Sequence, residues 1–340
     1  MRKYLLPETG SFYKANLHCH TTISDGRFTP EQVKDIYKRH GYSAVAFTDH
    51  NMQVEHPELK DGDFIPLVGV EYNVNHPGYP GKQYKTCHFC LVSLEEDASM
   101  QPCFSEEYIN KKYAQNVIYA KYDRDAPRFV REYTPECVNK MIKAAREAGY
   151  FVTYNHPSWS RENFGDYMAY EGMNAMEIAN YSCLSMGYND YNDRVYDDML
   201  RGGKRIFCIA TDDNHDKYPE GDPMNDSCGA WTVIKAEKLE YRALTSALEK
   251  GHFYASMGPE IRELWYEDGI LHVGCSDAVR INVIYGIRCA HCALPRDGER
   301  CVNSADFKLR DEFDWVRVDV IDERGRHANS NAFFFDTLNG

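Results

Sequence analysis

The sequence of 340 residues lacks long apolar runs and lacks a surplus of positive charge. No apolar stretch approaches the roughly 20 residues that a membrane-spanning helix needs. The first residues include basic side chains but no apolar core of signal-peptide length before Pro7, so we expect a cytoplasmic protein. Lysine and arginine number 39 against 52 acidic residues, a formal charge of −13. This balance argues against duplex nucleic acid or an anionic membrane as a partner.

Cysteine is plentiful, but its placement does not indicate a disulfide framework. Most of the twelve cysteines stand singly inside apolar, strand-like runs, for example Cys90, Cys183 and Cys208. We interpret them as reduced packing residues. The segment 289–301 has part of the spacing of a zinc knuckle, with His291 as the candidate fourth ligand. Unligated residues are the alternative interpretation there.

Apolar strand-like runs alternate with amphipathic helices over residues 1–255. Thr29 and Gln32 have the spacing of a capping box before one such helix. The alternation predicts an α/β fold with a parallel sheet covered by helices. About eight strands in this length fit a closed or distorted barrel better than an open sheet. Residues 95–132 interrupt the pattern, and we interpret them either as an insertion over the site or as a plain surface excursion.

The pattern changes from about Ser256. Short runs of alternating apolar and polar residues are separated by Asp-Gly, Asp-Glu and Arg-Gly turns. Residues 256–340 are therefore predicted to form a small all-β unit, most simply a sandwich packed against the barrel.

The segment Asn16–Gly26, with the sequence N-L-H-C-H-T-T-I-S-D-G, combines metal-ligating residue types. His18 and His20 are two apart on a predicted strand, so their imidazoles point to the same side and can share a metal ion. The loop that closes at Asp25 brings a carboxylate back toward them. An isolated H-x-H can also be a strand end with two chance histidines, so the rest of the chain decides.

Further residues of these types lie at or just after the ends of predicted strands. The full set is His18, His20, Asp25, His50, Glu71, His88, His156, Asp213 and His215. The carboxyl ends of barrel strands are where barrel enzymes place their chemistry, although His88 falls at the start of its strand. Imidazole with carboxylate suits zinc, manganese or iron, and one ion needs only about four to six donors. The set therefore implies more than one ion, with Glu71 as the natural bridging carboxylate.

The motifs that hold these residues, in this order, resemble those of a known family. H-C-H-T-T-x-S-D-G, F-T-D-H-N, G-V-E-Y-N, H-F-C-L, N-H-P and T-D-D-N-H are similar to the motifs of the polymerase-and-histidinol-phosphatase (PHP) superfamily of metal-dependent phosphoesterases. The similarity spans roughly residues 14–235. It implies a distorted (β/α)₇ TIM-like barrel with a trinuclear metal site. The segments 254–261 and 316–331 resemble parts of the β-sandwich that follows the barrel in a two-domain subgroup.

The resemblance also implies a division of the ligands. It places His18, His20, Glu71 and Asp213 on the first ion, Asp25, His50 and His215 on the second, and Glu71, His88 and His156 on the third. The chain departs from the family pattern Ser-Asp-x-His by having Asp212 in the serine position. An ungapped match makes Asp213 the ligand and leaves Asp212 as a supporting residue or an alternative ligand.

The implied activity is metal-assisted hydrolysis of a phosphate ester. A hydroxide bridging two ions attacks phosphorus, and water on a third ion or a nearby histidine protonates the leaving oxygen. The candidate catalytic residues are Glu71, Asp213 and His215. The expected cofactors are two to three divalent ions of zinc, manganese or iron. The expected ligand is a small phosphorylated molecule, a nucleotide included, or free phosphate.

Three alternatives remain open from the sequence. They are hydrolysis of a carbamate or carboxylic ester on the same metal site, cleavage of short oligonucleotides, and a non-catalytic regulatory module. Asp49 and Asn155 lie beside ligands and either orient them or cap strand-end turns. Glu177 either supports a ligand or substrate, or pairs with a buried arginine or lysine.

Overall fold

The computed structural model describes residues 2–78, 85–310 and 312–338. In chain order its strands are β1 (Lys3–Tyr4), β2 (Ser11–Asn16), β3 (Ala44–Phe47), β4 (Ile65–Asn75), β5 (Thr86–Ser93), β6 (Tyr150–Tyr154), β7 (Ala175–Asn180), β8 (Phe207–Thr211), β9 (Trp231–Ala236), β10 (Phe253–Ser256), β11 (Ile261–Glu267), β12 (Ile270–Ala278), β13 (Arg280–Tyr285), β14 (Ala290–Ala293), β15 (Val302–Lys308), β16 (Trp315–Ile321), β17 (His327–Ser330) and β18 (Phe333–Phe334). The α-helices are α1 (Pro30–Arg39), α2 (Pro135–Glu147), α3 (Phe164–Ala169), α4 (Tyr181–Ser185), α5 (Asp193–Arg201), α6 (Tyr241–Lys250) and α7 (Phe335–Leu338). The 3₁₀ helices are Pro57–Leu59, Glu106–Tyr108 and Lys111–Tyr119.

Most strands form one mixed sheet in the order β14-β13-β16-β17-β10-β9-β2-β3-β4-β5-β6-β7-β8. β2, β3 and β4 are parallel, and so are β6, β7 and β8, as the strand and helix alternation predicts. The prediction of a wholly parallel sheet is wrong, because β5 is antiparallel to β4 and β6, and β9 is antiparallel to β2. Residues 76–85 separate β4 from β5, and a parallel crossover needs about a dozen residues or more.

The reversed direction of β5 explains the position of His88. His88 is near the start of β5, where it pairs with Asn73 near the end of β4. The amide of Asn155, which follows β6, donates to the carbonyl of His88 at 3.0 Å. The start of β5 therefore lies at the same edge of the sheet as the ends of β4 and β6. The position of His88 at the start of its strand, unlike the other candidate ligands, therefore follows from the antiparallel direction of β5.

The sheet curves so that β8 approaches β9. Oγ1 of Thr232 donates to the carbonyl of Ala210 at 3.0 Å, and the amide of Ala210 lies 3.3 Å from the same hydroxyl. These are side-chain bonds, and β8 and β9 are not neighbours in the backbone ladder. A closed barrel therefore stays a prediction, while the mixed α/β sheet is observed.

Helices cover the sheet with their apolar faces. Val138, Met141 and Ile142 of α2 are buried against the sheet, as is Leu244 of α6 on another part of it. Burying a large apolar side chain contributes about 1.5–3 kcal/mol. Thr29 caps α1 through the predicted capping box with Gln32. This packing fixes the strand ends that hold the candidate site.

The C-terminal strands form two packed sheets. β11, β12 and β15 make a four-stranded sheet with β1 from the start of the chain, and its apolar face packs against β13, β16 and β17 of the large sheet. β10 pairs with both β9 and β17, so the backbone ladder runs through the predicted boundary at residue 255. The division into residues 1–255 and 256–340 stays a prediction.

Two further sequence interpretations concern cysteines and membranes. Cys90 and Cys208 are fully buried, and burial raises the pKa of Cys90 to about 11 and that of Cys208 to about 12, so both thiols are protonated near neutral pH. In the described ranges, no helix has both the length and the apolar character needed to cross a bilayer.

Candidate metal centre

Backbone hydrogen bonds between neighbouring strand ends assemble the candidate centre. The amide of Asp213 donates to the carbonyl of His18 at 3.0 Å, and the amide of His20 donates to Asn214 at 3.2 Å. The amide of Asn51 donates to the carbonyl of Glu71 at 2.8 Å. The segment that follows β2 is thereby held against the segment that follows β8, and the segment that follows β3 is held against β4.

Glu71 lies at the middle of the cluster. It is fully buried in the centre of β4, which continues four residues beyond it instead of ending there as the sequence predicts. Its Oε1 is 3.0 Å from Nδ1 of His88, 3.2 Å from Nε2 of His156 and 3.3 Å from Nε2 of His18. Its Oε2 is 2.9 Å from Nδ1 of His50 and 3.4 Å from Nε2 of His20. The two oxygens therefore face different histidines, as a bridging carboxylate would.

A triangle of acceptor atoms lies beside Glu71. Nε2 of His18 is 3.1 Å from Nε2 of His20 and 3.2 Å from Oδ1 of Asp213, and Nε2 of His20 is 3.0 Å from the same oxygen. Two ligand atoms that are each about 2.1 Å from one ion, at a ligand–ion–ligand angle of about 90–110°, are roughly 3.0–3.4 Å apart. The triangle has the dimensions of three ligands of one ion.

The opposite ring nitrogens of both histidines have partners of their own. Nδ1 of His18 lies 2.7 Å from Oε1 of Glu177, and when the neutral ring donates to this oxygen its lone pair is on Nε2. The hydroxyl of Ser24 donates to Asp49 at 2.7 Å and lies 3.4 Å from Nδ1 of His20, where it can accept a hydrogen bond. With both rings neutral and protonated at Nδ1, two imidazole lone pairs and a carboxylate face one another, an arrangement that a cation stabilises.

A second group lies closer to solvent. Nε2 of His215 is 3.4 Å from Oδ1 of Asp25, and Nε2 of His50 is 3.7 Å from the same oxygen. Nδ1 of His215 is 2.9 Å from the carbonyl of Asp213, which leaves Nε2 to face Asp25. His20 joins these three residues in one group of candidate ligands. The sequence argument placed His20 only with the first ion.

All nine sequence-predicted residues fall in three of the groups of candidate ligands in the described part of the chain, and two of these groups share His20. Glu71, His88 and His156 form the third of these groups. Nδ1 of His50 and Oε2 of Glu71 are buried atoms without a hydrogen bond in the described part of the chain, although they lie 2.9 Å apart. Both atoms lack the hydrogen bond that a buried polar atom normally makes, so both are available as ion ligands.

Charge within the cluster shifts its proton affinities. Glu71 is desolvated by burial, but the surrounding histidines hold its pKa well below the usual range. Burial opposes protonation of His50 and His156, yet carboxylates including Glu71 raise the pKa of each to about 9. Burial lowers the pKa of His88 to about 4 despite Glu71. The carboxylates therefore stabilise positive charge at this place, whether protons or metal ions supply it.

Glu177 supports two of the candidate ligands instead of pairing with a lysine or arginine. Besides His18, it accepts hydrogen bonds from the amide of His156 at 2.8 Å and the hydroxyl of Thr211 at 2.6 Å. Nδ2 of Asn180 adds a fourth donor at 3.0 Å. A buried carboxylate with four donors holds His18 and His156 in place.

Asp49 and Asn155 have different roles. Asp49 accepts hydrogen bonds from the amides of Thr21 and Ser24, so it stabilises the loop that leads to Asp25. Asn155 donates to Oε1 of Glu71 at 3.1 Å and so orients a candidate ligand.

The adjacent aspartates Asp212 and Asp213 point to different surroundings. Asp212 accepts hydrogen bonds from the amides of Cys228, Gly229 and Ala230 at 2.8–2.9 Å. Its carboxylate is thus occupied by backbone donors, whereas that of Asp213 faces the histidines. The geometry favours Asp213 as the ligand.

The centre opens into a cavity of about 770 Å³. One wall is the insertion 95–132, which contributes Tyr108 and Lys111. Arg131 anchors this wall, because its guanidinium donates to Asn51 at 2.5 Å and to the carbonyl of Asn73 at 3.0 Å. Of the two interpretations of the insertion, the structure supports a segment that lies over the site.

Sequence reasoning missed two residues beside His156. Oγ of Ser160 lies 3.1 Å from Nδ1 of His156, and the ring of Trp159 packs edge-on against the same imidazole. Trp159 also lines the cavity. Their position shortly after the N-H-P motif was the available signal.

The convergent imidazole and carboxylate groups define a candidate metal centre on a mixed α/β fold. No protein-family model and no curated protein matches the chain. Solved structures that resemble it include a two-domain protein containing a predicted PHP-like metal-dependent phosphoesterase from Bacteroides vulgatus, at 13% identity and a TM-score of 0.44 over 97% of this chain and 90% of that one.

Two others resemble a smaller part of the chain. A protein assigned as a metal-dependent phosphoesterase from Bifidobacterium adolescentis has 15% identity and a TM-score of 0.36, covering 65% of this chain and 94% of that one. An amidohydrolase from Chromobacterium violaceum with bound sulfate has 16% identity and a TM-score of 0.38, covering 61% and 89%.

Proposed function

We propose that this protein hydrolyses a phosphate ester of a small molecule with the help of two to three divalent ions. The observation that carries the proposal is the triangle of acceptor atoms from His18, His20 and Asp213 beside the two-sided carboxylate of Glu71. We assign His18, His20, Glu71 and Asp213 to one ion, Asp25, His50 and His215 to a second, and Glu71, His88 and His156 to a third. Zinc, manganese and iron all suit this donor set.

Bound ions would supply an acidified water and neutralise charge on the phosphate oxygens. The protein's own residues do the rest. Glu177 and Ser160 hold the imidazoles of His18 and His156 in one orientation, and Asn155 orients Glu71. Among the candidate ligands, Asp25 and His50 are the most accessible, with 38% and 26% of their side chains exposed, against 15% for His215.

The test has two parts. Elemental analysis of purified protein should find two to three equivalents of metal, and a panel of aryl phosphates, phosphodiesters and aryl carboxylic esters should show turnover of phosphates. Hydrolysis of esters or carbamates without phosphates would overturn the phosphoesterase assignment and favour the alternative hydrolase. Full metal occupancy with no turnover of any kind would favour a regulatory module.

A further inference from the structure

We infer that Arg161 binds a second anionic group of the substrate, a phosphate or carboxylate remote from the ester that is cleaved. This inference rests on the proposed function. Arg161 lines the same cavity as His156, Glu71 and Asp213, and its guanidinium carbon lies 5.2 Å from the centre of the Tyr188 ring. No carboxylate in the described ranges lies within ion-pair distance of it.

The backbone at Arg161 is strained, and its neighbours maintain the strain. Its φ is 59°, a left-handed conformation that costs roughly 1–3 kcal/mol for a residue other than glycine. On one side, the hydroxyl of Ser160 contacts His156 and its carbonyl accepts from Thr86 at 3.1 Å. On the other side, Glu162 is tied down by tyrosine hydroxyls. The turn thus links the orientation of a candidate metal ligand to the placement of Arg161.

Two lysines add positive charge to the cavity wall from other segments. Lys111 comes from the insertion, and Lys217 follows the candidate ligand His215 by two residues. Neither has an ion-pair partner in the part of the chain that the structure describes. Divalent ions would neutralise the carboxylates at the floor of the cavity, so these cations would face a substrate anion without competition from the centre.

The cavity also exceeds what one phosphate group requires. Trp159, Met186 and Tyr188 line it together with Arg161, giving an apolar stretch of wall next to the cation. This arrangement suits a molecule whose two anionic ends are separated by a carbon skeleton. A guanidinium binds either phosphate or carboxylate at such an end.

The experiment compares α,ω-alkanediol monophosphates with the corresponding bisphosphates and ω-carboxyalkyl phosphates of increasing chain length. For at least one length, metal-loaded protein should show a kcat/KM at least about tenfold higher for a substrate with two anionic ends. In Arg161→Met this preference should fall to below about twofold. The control is Arg124→Met, which removes an exposed arginine with a similar ring contact, 5.1 Å from Tyr122, outside the cavity.

Equal kcat/KM values at every length, or a preference that persists in Arg161→Met, would overturn the inference. Relative rates of bisphosphates and carboxyalkyl phosphates identify which anion is bound. If no ester is hydrolysed, the proposed function fails separately, and calorimetry with non-hydrolysable alkane bisphosphonates still tests Arg161. The dissociation constant should then rise at least about tenfold in Arg161→Met and remain within about twofold in Arg124→Met.

Discussion

Nδ1 of His18 and Oε1 of Glu177 lie 2.7 Å apart, and both side chains are buried. The hydrogen bond joins the segment after β2 to β7, far apart in the sequence, and it directs Nε2 of His18 toward His20 and Asp213. A carboxylate behind a ligating histidine fixes the ring and makes it a better ligand.

Glu177→Gln should weaken metal binding while leaving the fold in place. The glutamine side chain keeps an oxygen that can accept from His18, but it loses the negative charge. Its NH2 group also faces the donors that now bond to the carboxylate. We therefore expect the affinity for metal to fall about 10–100-fold. Competition with a chromogenic chelator measures this, and far-UV circular dichroism monitors the fold. Glu171→Gln, at an exposed glutamate, is the matched control. Unchanged affinity in Glu177→Gln would contradict the supporting role.

Asp213→Asn and Asp212→Asn should have opposite effects. Asp213→Asn should lower the metal content and the hydrolytic rate, because it removes a charged oxygen from the acceptor triangle. Asp212→Asn should keep the metal and lower the free energy of unfolding by about 1–3 kcal/mol, because the NH2 that replaces one carboxylate oxygen cannot accept from the backbone donors. Elemental analysis and urea denaturation distinguish them. Retained metal in Asp213→Asn together with lost metal in Asp212→Asn would make Asp212 the ligand.

Removal of the ions should destabilise the protein. Ligands that bind the folded state alone stabilise it by about 2.7 kcal/mol when their free concentration is 100 times the dissociation constant. We therefore expect a chelator to lower the melting temperature of the metal-loaded protein, measured by calorimetry. Glu71→Gln should show a much smaller response, since it removes charge from the carboxylate between the groups. An equal response in both proteins would mean that the ions bind elsewhere.

Glu162 should make stability depend on pH. Burial raises its pKa to about 7, although hydroxyls of Tyr133, Tyr154 and Tyr170 donate to it, and Asp166 raises it further. The folded protein therefore binds a proton that the unfolded chain releases near pH 4.5. The resulting stabilisation is complete below about pH 4.5 and disappears as pH rises through 7, a loss of about 3 kcal/mol.

Urea denaturation of wild type and Glu162→Gln between pH 5 and 8 tests this. As pH rises, the free energy of unfolding of the wild type should fall relative to that of Glu162→Gln, because glutamine does not titrate. Parallel pH profiles would show that Glu162 keeps an ordinary pKa in the folded protein.

The sequence predicts the convergence of the nine residues better than the path of the chain around them. His18 and His20 share one face because of strand geometry, and the residues at strand ends gather at one edge because neighbouring strands align there. The direction of β5 does not follow from its own residues, since a buried apolar run such as 88–92 reads alike in either direction, and only the short connection 76–85 indicates it. The partners of Glu177 come from distant segments, and neither residue type nor spacing along the chain specifies such contacts.

The pairing of β10 with both β9 and β17 has a practical consequence. In a protein shortened after residue 256, the edge of β10 that pairs with β17 would have unpaired backbone amide and carbonyl groups. The apolar face that the later strands cover would also be exposed to solvent. Such a fragment is unsuitable for studying the proposed activity, because self-association through its unpaired strand edge would compete with folding. Studies of the metal chemistry should keep the chain whole.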